Sequence, residues 1–332
     1  MSEVIQRNLA LELVRVTESA ALAAGVWMGR GDKIAADGAA VDAMRAALSR
    51  IDMDGVVVIG EGEKDEAPML YIGEQIGNGR PPKVDVAVDP IDGTRLLSQG
   101  MPGAIAVVAL ANRGTMYSAP PGVYYMNKIA VGREARDAID ITASVAENVA
   151  AVSLALGREE GNITVMVLDR PRHEQMVREI RETGARVRLI TDGDVHGAIA
   201  AAEETMTGVD MLMGIGGAPE AVIAACALKA MGGNLQCRLF YKDEDERRRI
   251  EAMGINPDLV LTIDDLVKGD DVFFAATGIT DGELLKGVRY GRGRATTESV
   301  VMRSKSGTIR YMRAMHHIGK LVNILDFSSL ER

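Results

Sequence analysis

Three observations in this sequence predict an α/β fold. From about residue 144, short apolar runs alternate with helical periods: helix 144–156, strand 163–168, helix 172–183, strand 186–190, helix 194–204, strand 209–213 and helix 218–231. Earlier, two strand-like runs at 56–59 and 84–88 each give way to acidic residues. The third is bulk: 332 residues at 47% hydrophobic and 26% charged are ample to bury a core. Alternation of this kind implies a largely parallel sheet covered by helices on both faces.

The elements follow in chain order. Residues 3–28 read as an amphipathic helix, with Ile5, Leu9, Leu13, Val16, Ala20 and Trp27 near one face. A Gly-Arg-Gly-Asp-Lys turn, Gly29–Lys33, ends it, and a second helix is expected to begin at Asp37 and run through Val41, Met44 and Leu48. Strands are expected at 56–59, 84–88 and about 104–110, and again at 235–240, 271–276, 296–302 and 308–315. Lys242–Glu251, dense in mixed charge, reads as a solvated helix. The change of rhythm sets an expected domain boundary near 140–160. Residues 1–150 then form one α/β domain and 151–332 a second, whose C-terminal strands can rejoin the first.

A formal net charge of −9 gives no whole-chain attraction to nucleic acid or to an anionic membrane, though it leaves room for a local basic pocket. Cys226 and Cys237 form no CxxC pair and suit a reducing compartment as small packing residues. Glu12, Arg15 and Glu18 interrupt the N-terminal apolar stretch, so it is not read as a signal peptide. No run reaches the roughly 20 apolar residues of a membrane span. A cytoplasmic protein is expected.

Three clusters carry chemistry. In the first, the run Val84–Val88 leads into Asp89-Pro90-Ile91-Asp92-Gly93-Thr94, and Val56–Ile59 leads into Gly60-Glu61-Gly62-Glu63, with Asp65 and Glu66 following and Asp37 upstream. Clustered oxygen donors suit Mg²⁺ or Mn²⁺, which would polarise a phosphoryl oxygen and acidify a bound water. The bland alternative is a solvated acidic loop beside a turn. The second cluster is Gly214-Ile215-Gly216-Gly217-Ala218-Pro219-Glu220, which lacks the final glycine of GxGxxG. Taken alone, it is equally a ligand-facing helix start or a capped helix. In the third, Arg170-Pro171-Arg172-His173 and Asp192-Gly193-Asp194 follow neighbouring strands, where arginines can grip a phosphate and aspartates can accept sugar hydroxyls.

These segments resemble the class II fructose-1,6-bisphosphatases of bacteria over nearly the whole chain. The likeness is carried by Arg15–Ala21, Gly29–Lys33 with Ala36-Asp37-Gly38, Ile59–Glu63 continuing through Asp65–Tyr71, Asp89–Thr94, Tyr125-Met126-Asn127-Lys128, Asp169–His173, Asp192–Val195 and Gly214–Glu220. The Asp89–Thr94 string alone resembles only the wider lithium-sensitive phosphatase superfamily, inositol monophosphatases included. The likeness implies a layered α/β sandwich with two sheets covered by helices, and Mg²⁺- or Mn²⁺-dependent removal of the 1-phosphate of fructose 1,6-bisphosphate. The alternatives are a sedoheptulose-1,7-bisphosphatase or a dual-specificity bisphosphatase and, ranked below these because the catalytic acids are present, a non-catalytic sugar-phosphate-binding regulator.

The resemblance also implies roles for individual residues. Asp37 and Glu61 correspond to ligands of one metal, and Asp89, Asp92 and Glu220 to ligands of another. Thr94 orients the attacking water, with Asp65 as a second catalytic candidate. Asp92, Gly93 and Thr94 touch the substrate, Tyr125, Arg170, Pro171 and Arg172 hold the distal phosphate, Asp192, Gly193 and Asp194 hold the sugar hydroxyls, and Gly217 meets the ligand's backbone-facing side. Some relatives carry Glu in place of Asp92, and some have a longer insertion than Lys242–Arg249. A homodimer or homotetramer is expected, with a small-molecule sugar bisphosphate as its partner.

Overall fold

The computed structural model describes residues 9–60 and 70–325. Contacts divide the chain into two units, Met1–Met116 with Gly269–Arg332, and Tyr117–Lys268. The division after residue 116, rather than near 150, follows from strand pairing: the strand at Tyr125–Val131 finds both partners within Tyr117–Lys268.

The first unit opens with α1 (Leu9–Gly25) and α2 (Lys33–Leu48), then β1 (Asp54–Ile59), β2 (Gln75–Ile76), β3 (Lys83–Asp92), α3 (Thr94–Gln99) and β4 (Ile105–Asn112). Asp32 caps α2, accepting from the Ala35 amide at 3.0 Å. The helix therefore starts four residues before the expected Asp37, which leaves the Asp37 carboxylate for other work. The second unit contains β5 (Tyr125–Val131), α4 (Val145–Leu156), β6 (Thr164–Leu168), α5 (Glu174–Glu182), β7 (Arg186–Ile190), α6 (Asp194–Ala202), α7 (Glu204–Thr207), β8 (Met211–Gly217) and α8 (Ala218–Met231). It closes with β9 (Asn234–Leu239), α9 (Glu244–Ala252), β10 (Leu261–Thr262) and α10 (Ile263–Leu266). The chain then returns to the first unit with β11 (Phe273–Gly278), β12 (Arg289–Gly291), β13 (Arg294–Arg303), β14 (Thr308–His317) and α11 (Ile318–Leu325).

Among the described residues the first unit builds an eight-stranded sheet, β12-β13-β11-β4-β3-β1-β2 with β14 on β13, and the second a six-stranded sheet, β10-β9-β5-β8-β6-β7. The layered α/β class holds, but the largely parallel sheet does not. Only β1–β3 in the first sheet and β8–β6–β7 in the second are parallel; every other pairing is antiparallel. In the second sheet the reason is β5, which enters between β8 and β9 and runs against both; in the first, β4, β11, β13 and β14 each run against their neighbours. Buried strands of either sense read as the same short apolar runs, so local periodicity carries no pairing information.

Each sheet has its own core. In the first unit α1 packs across β11 and β13, so it is buried nearly all round from Val16 to Gly25 rather than along one stripe. Its polar residues are satisfied there: Thr17 and Thr277 share a hydroxyl bond at 2.7 Å, Thr277 and Ser299 another at 2.8 Å, and Glu18 accepts from Thr297 at 3.1 Å. In the second unit Ile129, Val131, Val165 and Val167 meet Val149, Val152 and Ile180. Both cysteines are buried and free, and burial pushes their thiols up to about 12, as inert packing residues require. No helix among the described residues is long and apolar enough to cross a membrane.

Candidate active site

In the first unit the acidic motif lies inside a strand, not after one. β3 continues through Asp92, and its register with β4 slips between Asp89 and Asp92: Asp89 faces Val107, whereas Asp92 faces Ile105. Three residues on β3 thus span two on β4, a bulge containing Pro90, which has no amide to give the ladder. Residues three apart would normally point to opposite faces. The extra residue sets Asp89 and Asp92 opposite Val107 and Ile105, which share a face, and so turns both carboxylates to one side. Asp89 accepts from the Ile91 amide at 3.0 Å, fixing the bulge, and Asp92 is 4% exposed.

Gly93 follows with φ +99°, a conformation natural only to glycine, and turns the chain into α3. Thr94 is the first residue of that helix, and its hydroxyl donates to Asp37 Oδ1 at 3.0 Å, with the Ile91 carbonyl at 3.3 Å. Asp37 from α2 and Thr94 from α3 thereby meet. The donors described here are all hard oxygens, the right chemistry for Mg²⁺ or Mn²⁺. Among the described residues no three such groups gather closely enough to hold an ion by themselves. Glu61 and Asp65 lie outside the described residues, and Glu220 belongs to the second unit. Asp85, on the same strand, is structural, accepting from the Thr115 and Met116 amides.

The basic set occupies the second unit. Arg172 leaves the turn at Pro171–His173, donates to the Ile215 carbonyl at 2.7 Å and lies 5.2 Å from the centre of the Tyr125 ring. It makes no ion pair among the described residues. Arg170 instead braces its own loop, donating to the Asp169 and Thr191 carbonyls at 3.0 and 2.7 Å, with Asp192 at 3.7 Å. Gly193, at φ +85°, starts α6, and Asp194 on its first turn is buried. The glycine segment, read from the sequence as the start of a helix, is the end of β8: Gly214–Gly217 pair with Lys128–Tyr125 of β5. A side chain at Gly216 would strike the Asp194 carboxylate and one at Gly217 the Glu220 carboxylate, at 1.8 and 1.7 Å. The space these glycines leave is therefore filled by the protein's own acids.

Two further residues of this unit, Lys128 and His173, acquire a role only in the fold. Lys128 is buried and donates to Asp194 Oδ2 at 2.6 Å and to the Gly217 carbonyl at 2.8 Å. Its signal in the sequence is a lone charge at an inward position of an apolar strand, between Met126 and Ala130. His173 has Nδ1 2.7 Å from the Leu168 carbonyl and accepts from the Ile215 amide on Nε2 at 2.8 Å. A carbonyl can only accept and an amide only donate, so the ring is neutral with its proton on Nδ1. Gly214 at φ +136° lets the ring approach, since a Cβ there would lie 3.0 Å from Nε2.

Burial, the largest influence, opposed by the Leu168 bond, holds His173 below its ordinary value of 6.5; His316 is lowered by burial as well. A depressed histidine contributes stability that is present above 6.5 and lost as pH falls through the folded value, because the unfolded chain takes the proton first. The melting temperature is therefore expected to drop as pH falls below about 6.5. In His173→Asn this slope should shrink. Thermal melts from pH 7.5 to 5 check this, and an unchanged slope in the variant would remove His173 as its source.

Comparison with known proteins now decides the family. The family model described as "Bacterial fructose-1,6-bisphosphatase, glpX-encoded" matches residues 7–316. The chain belongs to this family. It is 45% identical over 329 residues to the fructose-1,6-bisphosphatase 1 class 2 of Escherichia coli strain K12, covering 95% of this chain and 97% of that one. The same identity and coverage hold for the fructose-1,6-bisphosphatase class 2 of E. coli O6:H1 strain CFT073 and that of Shigella flexneri. As a family member the chain is a phosphatase.

Proposed function

We propose that this enzyme removes the 1-phosphate of fructose 1,6-bisphosphate, giving fructose 6-phosphate and phosphate, a gluconeogenic step. The observation that carries the reading is Arg172, a cation that meets a carbonyl and a ring but no carboxylate among the described residues. A monophosphatase has no use for such a cation, whereas a bisphosphate brings a second dianion to be held.

On this reading Asp37 and Glu61 hold one divalent cation, and Asp89, Asp92 and Glu220 another. When bound, Mg²⁺ or Mn²⁺ supplies positive charge to the phosphoryl oxygens and acidifies water. Thr94 accepts a proton from the attacking water while passing its own to Asp37, along the hydrogen bond between them. Water oxygen bonds to phosphorus and the bond from phosphorus to the C1 oxygen breaks, that oxygen taking a proton from solvent. Asp65 is our second candidate for the base. Tyr125, Arg170, Pro171 and Arg172 hold the distal phosphate, and Asp192, Gly193, Asp194 and Gly217 border the sugar. We take the enzyme to act in the cytoplasm as a homodimer or homotetramer.

Phosphate release from fructose 1,6-bisphosphate, sedoheptulose 1,7-bisphosphate and inositol 1-phosphate tests the reading. Fructose 1,6-bisphosphate is expected to give the highest kcat/KM; a preference for the monophosphate would overturn it. Arg172→Ala should raise KM for the bisphosphate about tenfold or more, since a hydrogen bond to a charged group contributes ~1.5–3 kcal/mol. Small monophosphates should be affected far less. Equal losses on both substrates would assign Arg172 to the reacting phosphate or to the fold.

A further inference from the structure

Three costs converge at one end of β8. A lysine is buried at 3% side-chain exposure on the sheet face covered by α6 and α8. Gly216 and Gly217 weaken the strand in which they stand. An ion pair inside a protein is commonly no more stabilising than apolar residues of the same volume. Burial alone would push Lys128 below its ordinary value, yet Asp194 and then Glu220 more than offset this, and the ammonium stays charged. All three features serve the same result: the carboxylates of Asp194 and Glu220 lie folded over Gly216 and Gly217, and Lys128 joins Asp194 to the Gly217 carbonyl just ahead of α8.

We propose that Lys128 is a positioning residue for sugar-bisphosphate binding, its ammonium clamping Asp194 to the β8–α8 turn so that the acceptor groups there are set before the ligand arrives. The inference rests on the proposed function and adds a residue to it. One Asp194 oxygen is committed to Lys128, and the residue retains 7% exposure, so a hydroxyl of the ligand meets the other oxygen only. Without the ammonium, that carboxylate would be buried and uncompensated, and it would swing toward water or take up a proton. Lys128 itself touches no reacting atom; it acts through Asp194 and Gly217.

The test is steady-state kinetics on fructose 1,6-bisphosphate at saturating metal, with a thermal melt of every variant. Lys128→Met should raise KM about tenfold or more while kcat stays within about threefold, the split that weakened binding produces. Gly216→Ala, which removes no charge but drives a methyl into the Asp194 carboxylate, should show the same split. In Lys128→Met/Asp194→Asn neither member of the hydrogen-bonded pair is left charged, and its KM should equal that of Asp194→Asn alone. Should the single lysine variant fail to melt cooperatively, this comparison decides: equal values support the clamp, and a further tenfold rise overturns it. A folded Lys128→Met with wild-type KM also overturns it, leaving an internal ion pair without a role in binding. Wild-type turnover is read first; its absence overturns the proposed function and this inference together, whereas a variant result against an active wild type overturns only the inference.

Discussion

Thr94→Ala is expected to lower kcat by ~10²–10⁴-fold, the usual cost of losing one positioned proton-transfer group, whereas Thr94→Ser keeps most of the turnover. The Thr94 hydroxyl is aimed by two acceptors, Asp37 at 3.0 Å and the Ile91 carbonyl at 3.3 Å. Its oxygen is thereby left to accept from water. Serine retains that oxygen and sheds one methyl; alanine removes the oxygen and leaves Asp37 without this donor. No proposed metal ligand is itself substituted, so substrate Kd in Thr94→Ala should change far less than kcat. Steady-state kinetics, direct binding and circular dichroism on both variants separate the cases. Equal activity of alanine and serine variants would make Thr94 a packing residue and pass the base to Asp65.

Chelation should abolish activity, by roughly 100-fold or more, and Mg²⁺ or Mn²⁺ should restore it. The bulge at Pro90 turns Asp89 and Asp92 to one side of β3, and Asp92 is 4% exposed. A carboxylate taken out of water in this way is costly unless positive charge offsets it. Asp92→Asn should therefore raise the metal concentration for half-activation by about tenfold or more, because an amide donates oxygen without charge. Full turnover of wild type in chelator would end the metal assignment, and unchanged half-activation in Asp92→Asn would move this residue out of it.

Much of the fold was legible because its signals are local. Strand 186–190 and the start of the helix at 194 fall where the apolar rhythm puts them, and Ser144 opens α4 with a capping box to Glu147. What was illegible is non-local. The antiparallel entry of β5 has no mark in its own residues, so the second sheet is mixed rather than largely parallel. Pro90 and the acids around it read as a turn after a strand, yet pairing with β4 carries the strand through Asp92 by means of the bulge. Likewise the Gly214–Gly217 run has the composition of a ligand loop and is instead strand, because its missing side chains make room for Asp194, Glu220 and the His173 ring. Lys128 shows the same limit: its partner lies 66 residues away, and only the fold brings them together.

The proposed division of labour, acids at the reacting phosphate and arginines at the distal one, predicts which phosphate leaves. The most direct measurement is the identity of the first product from fructose 1,6-bisphosphate under single-turnover conditions with Mg²⁺ or Mn²⁺, read by phosphorus NMR. Fructose 6-phosphate with one equivalent of inorganic phosphate is the predicted result. Fructose 1-phosphate, or both monophosphates in comparable amounts, would contradict it, because the arginine set would then not be fixing the distal end.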